Sequence, residues 1–192
     1  MEQRLDRVRA AIAAAPSIEA GAPAALADVE AFEMAYGVVL PDELRRFLLE
    51  VADGLAVDGE PTLYGLADLR LAQPSAAAPA RPFPYDDAAA DAIRAAITAA
   101  GPDGPLADRT VMGLQHAGDP DGCLILTCNG GNDFSAIVVT GPQRGVMWRT
   151  GELDASECRG LYTAGAGDAP LGFLDWLGPW SACFIGVDLD AG

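Results

Sequence analysis

Reactive side chains are few and scattered in this chain. The one histidine, His116, stands beside Gly118-Asp119-Pro120-Asp121-Gly122, so an Asp–His pair for general-base work can be drawn. A lone histidine at the end of an apolar run beside such a turn is more simply a hydrogen-bonded surface residue. No Gly-x-Ser-x-Gly elbow is present to raise a serine nucleophile. Cys123 and Cys128 enclose the apolar run Leu124-Ile125-Leu126-Thr127, the opposite of the electropositive, partly exposed surroundings that activate a thiol. On a strand these two cysteines point to opposite faces, and Cys158 and Cys183 add no Cys-x-x-Cys spacing, so zinc is not expected. Asp119-Pro120-Asp121-Gly122 matches a calcium loop only at its start and lacks the later ligands. Gly165-Ala166-Gly167 meets Pro170 where a dinucleotide fingerprint needs glycine, and Asn129-Gly130-Gly131-Asn132-Asp133 joins two strands instead of opening a helix. The expectation is a chain with no catalytic residue, no cofactor and no metal.

What the sequence has in excess is carboxylate. The 192 residues carry a formal net charge of -16 with a pI near 4.1, and every cationic side chain is arginine. That balance disfavours direct nucleic-acid binding, which draws its affinity from cations neutralising phosphates. It favours a basic protein partner, because complementary potential speeds and orients encounter. Asp53, Asp58 and Glu60 fall in one acidic loop, while Asp119, Asp121 and Asp133 fall in turns between strands. Brought to one rim, they would make an acidic recognition patch. Trp148 and Tyr162, close to loops, are the expected exposed aromatic contacts, and Trp176 is expected in the core.

The elements that must hold these groups can be read from periodicity. Leu5, Val8, Ile12 and Ala15 predict a first helix ended by Pro16, with 17–23 as a linker. Leu26, Val29, Phe32 and Tyr36 make a second apolar stripe, closed by Gly37 as a left-handed cap. Val38-Val39-Leu40 is an extended connector, and Pro41, Asp42 and Glu43 open a third helix on the stripe Leu44, Phe47, Leu48 and Val51, ended by Gly54. Residues 56–61 read as a turn-rich acidic loop, 62–66 as a strand and 67–71 as a short helix. Four prolines between Pro74 and Pro84 predict a surface excursion, and 86–100 an Ala-rich helix. Strands are expected at 109–115, 122–128, 134–140 and 144–150, forming an antiparallel meander under helices. A last helix is expected over 170–177, with Pro179 ending or kinking it. The fold class is α+β in a single domain spanning 1–192: N-terminal helices, a central antiparallel-rich mixed sheet and a C-terminal helix, with 1–27 as helix plus linker and 73–105 as a variable insertion.

The order Glu33, Gly37, Leu40-Pro41, Leu44, Phe47-Leu48, Gly54 resembles the signature of the SUKH superfamily, and Gly172-Phe173-Leu174-Asp175-Trp176-Leu177 is similar to that family's closing Ser-Phe-x-x-Trp-Leu helix. Asp53-Gly54-Leu55 stands where the family has paired glycines. The family includes fungal cell-wall-synthesis regulators and bacterial immunity proteins that neutralise a cognate toxin. The resemblance therefore implies a non-enzymatic protein-binding domain that occludes a basic toxin domain, often a nuclease. The alternatives are an intracellular adaptor of the same fold without a toxin partner, and an enzyme centred on His116. A charged N-terminus without an apolar secretory core, and no run long enough for a membrane span, lead to the expectation of a cytoplasmic monomer or weak dimer with reduced cysteines.

Overall fold

The computed structural model describes residues 1–73, 75–84, 86, 88, 121–130, 133–151, 163–164 and 169–189. In chain order the elements are α1 (Glu2–Ala14), β1 (Ile18–Ala20), α2 (Leu26–Tyr36), α3 (Asp42–Glu50), β2 (Leu55–Val57), β3 (Glu60–Leu63), α4 (Leu66–Ala72), β4 (Cys123–Gly130), β5 (Asp133–Val138), β6 (Met147–Gly151), β7 (Thr163–Ala164), β8 (Ala169–Pro170) and α5 (Phe173–Phe184). The class is α+β, as expected. The described strands form two three-stranded antiparallel sheets, β1-β2-β3 and β4-β5-β6, with β7 and β8 paired separately. The two larger sheets meet where the Tyr64 N–H donates to the Leu126 carbonyl at 2.9 Å.

The paired helices follow their sequence signals closely. Gly37 takes φ 64°, and it and Val38 return their N–H groups to Met34 and Glu33, which closes α2 with a left-handed cap. Leu44, Phe47 and Leu48 bury one face of α3, and Pro41 sits just ahead of its first turn. Phe47 meets Phe173 edge-on at 5.4 Å, so α3 and α5 share one core with Trp176 and Trp180, which stack at 5.0 Å. Trp176 is fully buried, as expected.

Three expectations need correction. The predicted linker 17–23 contains β1, and the predicted loop 56–61 is a β-hairpin. Asp58 and Gly59 both have positive φ, 53° and 81°, and Val57 pairs with Glu60 across them, the two-residue left-handed turn whose twist suits a hairpin. Pro179 does not end the last helix, which begins at Phe173 rather than Pro170 and runs on to Phe184. Asp175 and Pro179 lie on its exposed side, where water can satisfy the carbonyl that a proline leaves unbonded, while Trp176, Leu177, Trp180 and Ser181 hold the other side in the core.

The described part of the Pro-rich stretch is pinned down instead of projecting. The Ala78 carbonyl accepts from Gly122 N–H at 2.9 Å, and the Thr140 hydroxyl donates to the Arg81 carbonyl and accepts from Phe83 N–H. Phe83 is thereby laid against Trp148, ring centres 5.3 Å apart. Apart from 86 and 88, the expected helix 86–100 lies outside the described residues, as do the expected strand 109–115 and all of 89–105.

Candidate functional site

The acidic residues singled out in the sequence separate into two groups. Asp53, Asp58 and Glu60 belong to the N-terminal sheet. The hairpin turn holds Asp58 and Glu60 exposed at its tip. Asp53 is half-buried at the opposite end, where its Oδ1 accepts from Leu66 N–H at 2.7 Å and so caps α4. Its backbone is crowded as well: a Cβ on Gly21 or on Gly65 would collide with the Asp53 carbonyl, so only glycine lets the three segments close together. Asp53, expected as part of an acidic recognition patch, is therefore also a structural cap.

Asp121 and Asp133 lie at opposite ends of the meander and do not share one rim. Asp121 forms an ion pair with Arg81 at 3.0 Å just before β4 begins. Asp133 starts β5 opposite Gly130, while Cys123 pairs with Val138 at the other end of the ladder. At ~3.4 Å per strand residue, the two aspartates lie on the order of 20 Å apart. Asp119 lies outside the described residues, as do His116, Cys158 and Tyr162. Trp148 is not an exposed contact: on β6, opposite Ala136, it keeps only 8% of its surface, because Phe83 from a distant part of the chain covers it.

The concave feature of the N-terminal sheet is a groove of ≈ 290 Å³ on its outer side. Glu19 from β1, Asp53 from the turn after α3, and Asp68 from the first turn of α4 line it, together with Ala56 and Pro61; Leu55 and Leu63 beside them are buried in the core. None of its lining residues is cationic, and the sequence has no cation between Arg46 and Arg70. Among the described residues, the Glu19 and Asp68 side chains make neither a hydrogen bond nor an ion pair, although five other arginine–carboxylate pairs form elsewhere. Sequence reasoning passed over both residues. Asp68 was recognisable as a first-turn acid of a short helix; Glu19 carried no signal until β1 was seen to be a strand.

The residues that carry the family resemblance hold the fold in specific ways. Glu33 Oε1 accepts from Leu40 N–H at 2.9 Å and from Arg45 Nε at 3.2 Å, so it fastens the connector that Gly37 begins and Leu40-Pro41 ends. Arg144 donates to the Val39 and Leu40 carbonyls at 3.2 and 2.8 Å, tying the same connector to the turn before β6. Glu43 Oε2 accepts from Leu174 N–H at 3.0 Å and caps α5, and Gly172 leaves room for that carboxylate. The two stretches bearing the resemblance therefore meet directly. Leu40, Phe47 and Leu48 are buried, and Gly54 takes φ 87° against Gly65.

No cluster of His, Cys, Asp and Glu able to hold a metal occurs among the described residues. Burial pushes the Cys123 thiol far up from its ordinary value, and Cys128 and Cys183 are exposed. Burial also raises the Tyr64 phenol, with Cys128 and Asp68 as nearby negative neighbours. No helix among the described residues is long and apolar enough to cross a membrane. No protein-family model matches the chain, and no curated protein matches it.

Proposed function

We propose that this chain is a non-enzymatic, protein-binding domain of the SUKH kind, an immunity protein that binds a basic toxin domain and blocks its active site by occupying it. The observation that carries the reading is the groove of the N-terminal sheet, where Glu19, Asp53 and Asp68 are lining residues and no lining residue is cationic, in a chain of net charge -16. Such a face would attract a cationic catalytic cleft, and a nuclease is the first toxin class to test, since its cleft is built to hold phosphates. The meeting of the Glu33–Gly54 and Gly172–Leu177 stretches through Glu43 and Phe47 supports a SUKH-like arrangement.

The test is co-expression with a toxin domain, should a neighbouring open reading frame encode one. Protection of the host cell is expected, together with an association rate that falls steeply as salt is raised. Absence of protection, or association indifferent to salt, would overturn the reading. Co-purification with housekeeping enzymes instead of a toxin would select the adaptor.

A further inference from the structure

We propose that residues 75–83 form a strap that lifts as a unit from the meander face turned away from the main core, while that core stays folded. The inference is independent of the immunity reading. Strand alternation divides the buried side chains of the meander into two sets. Leu124, Leu126, Ile137 and Met147 enter the main core, whereas Cys123, Ile125, Ala136, Val138 and Trp148 alternate with them and lie outside it. Among the described residues, the other buried apolar side chains outside the main core are Ala78 and Phe83, both from the strap. The strap is thus part of a second, smaller apolar cluster, in which Phe83 lies 5.3 Å from Trp148.

Pro79 and Pro82 have no N–H to give, so the strap cannot bond to the sheet along its length as a strand would. It is fastened by the Gly122 N–H, which donates to the Ala78 carbonyl at 2.9 Å, and by the ion pair of Arg81 with Asp121. Those two side chains are 54% and 36% exposed, so their pair contributes little. Thr140 is the latch: its hydroxyl donates to the Arg81 carbonyl at 2.9 Å and accepts from the Phe83 N–H at 3.0 Å. A Cβ on Gly122 would collide with that hydroxyl and with the Phe83 nitrogen, so the strap settles against bare backbone. Phe83 is the only large apolar side chain in 75–83, and a segment that buries so little belongs at the low end of local stability. Gln73 fixes the hinge end. Its buried side-chain amide donates to the Leu69 and Ile125 carbonyls, and its oxygen accepts from the Ile125 N–H.

Cys123 reports on the strap. It follows Gly122 with 2% of its surface exposed, and burial keeps its thiol protonated and unreactive while the strap is down. The experiment takes the full chain with Cys128, Cys158 and Cys183 changed to serine and follows modification of Cys123 by an aromatic disulfide at a series of urea concentrations below the unfolding transition. In this parent the rate should be nearly indifferent to urea, because lifting a short strap exposes little surface. Thr140→Val keeps the shape of the side chain but can hold neither bond, and should raise the rate about tenfold. Phe47→Ala weakens the main core on which the strap does not rest, and should leave the rate within about twofold. Labelling that required global unfolding would behave in the opposite way: it would carry the urea dependence of the whole chain, and Phe47→Ala would raise it about a hundredfold or more. Either result would overturn the strap, as would a Thr140→Val rate equal to that of the parent. If Phe47→Ala does not fold, the urea dependence of the parent and the Thr140→Val rate decide between local and global opening.

Discussion

The two larger sheets are built on the same antiparallel principle and put to different uses. In the meander, Ser135, Ala136, Ile137 and Val138 are consecutive and all fully buried, so β5 is covered on both faces. In the N-terminal sheet, Ile18 is buried while Glu19 and Ala20 are exposed, and Glu60 and Pro61 of β3 are exposed as well. A strand covered on both sides must be apolar or have its polar groups paired, as Ser135 is with the Asn129 side chain, because an unpaired polar group there would lose its water. A strand covered on one side can vary its outward positions at little cost to the fold. The outward positions of the N-terminal sheet can therefore carry charge for a partner, and the buried stretch of β5 cannot.

The largest effect expected from this division is on the covered side. Ile137→Ala should destabilise the chain by ~2–5 kcal/mol, and Phe47→Ala, beneath α5, by ~3–5 kcal/mol, read as shifts in urea unfolding. Glu19→Gln on the open face should fall within about 0.5 kcal/mol of the parent. Comparable losses at Ile137 and Glu19 would break the comparison at once.

Next in size is the connector that passes between the helices. Glu33→Ala strands the Leu40 N–H in partly buried surroundings and also takes a partner from Arg45, so ~1–3 kcal/mol is expected. Glu33→Gln keeps an oxygen in the same place and should recover most of that loss. If it recovers none, the ion pair with Arg45 rather than the bond to Leu40 holds the connector.

Smaller again is the hairpin tip. Gly59 has φ 81° with open space around it, so Gly59→Ala should cost only the ~1–2 kcal/mol of a left-handed backbone. Gly54 has a similar φ, but a Cβ there would sit 2.5 Å from the Gly65 nitrogen, and Gly54→Ala should cost more. Equal costs would mean that the tight waist near Asp53 relaxes freely, and the groove beside it would lose its fixed shape.

What could be read in the sequence follows the same division. Helices α2 and α3 and the described strands of the meander were legible because burial is written into their periodicity and the punctuating Gly37, Pro41 and Gly54 are local signals. β1 was not, since three residues with one buried position show no alternation until β2 lies beside them. The hairpin was hidden by Pro61, which argues against a strand, although Asp58-Gly59 is by itself a strong hairpin signal. Trp148 was misplaced because its cover, Phe83, comes from a remote segment that composition marks as a loop. The groove was partly legible: Asp53 was picked out for its charge, but its convergence with Glu19 and Asp68 depends on a sheet that no local pattern announced.

The smallest effect concerns an exposed carboxylate that does have a partner. On α3, Glu50 receives two hydrogen bonds from Arg46, at 2.6 and 2.9 Å, and these, opposed in part by burial, hold its carboxyl below the ordinary glutamate range. A carboxylate depressed on folding stabilises the fold fully above its unfolded pKa, ordinarily ~4.3, and loses that contribution as the pH falls through the lower folded value. Glu50→Gln should therefore be slightly less stable than the parent at neutral pH, with the gap closing in acid and shrinking in high salt, since more than a third of the Glu50 side chain is open to solvent. Urea unfolding of both chains across that pH range would measure it. A gap that persists in acid would mean that the charge on Glu50 is not its source. One as large as that of Ile137→Ala would mean that exposed charge holds this fold together.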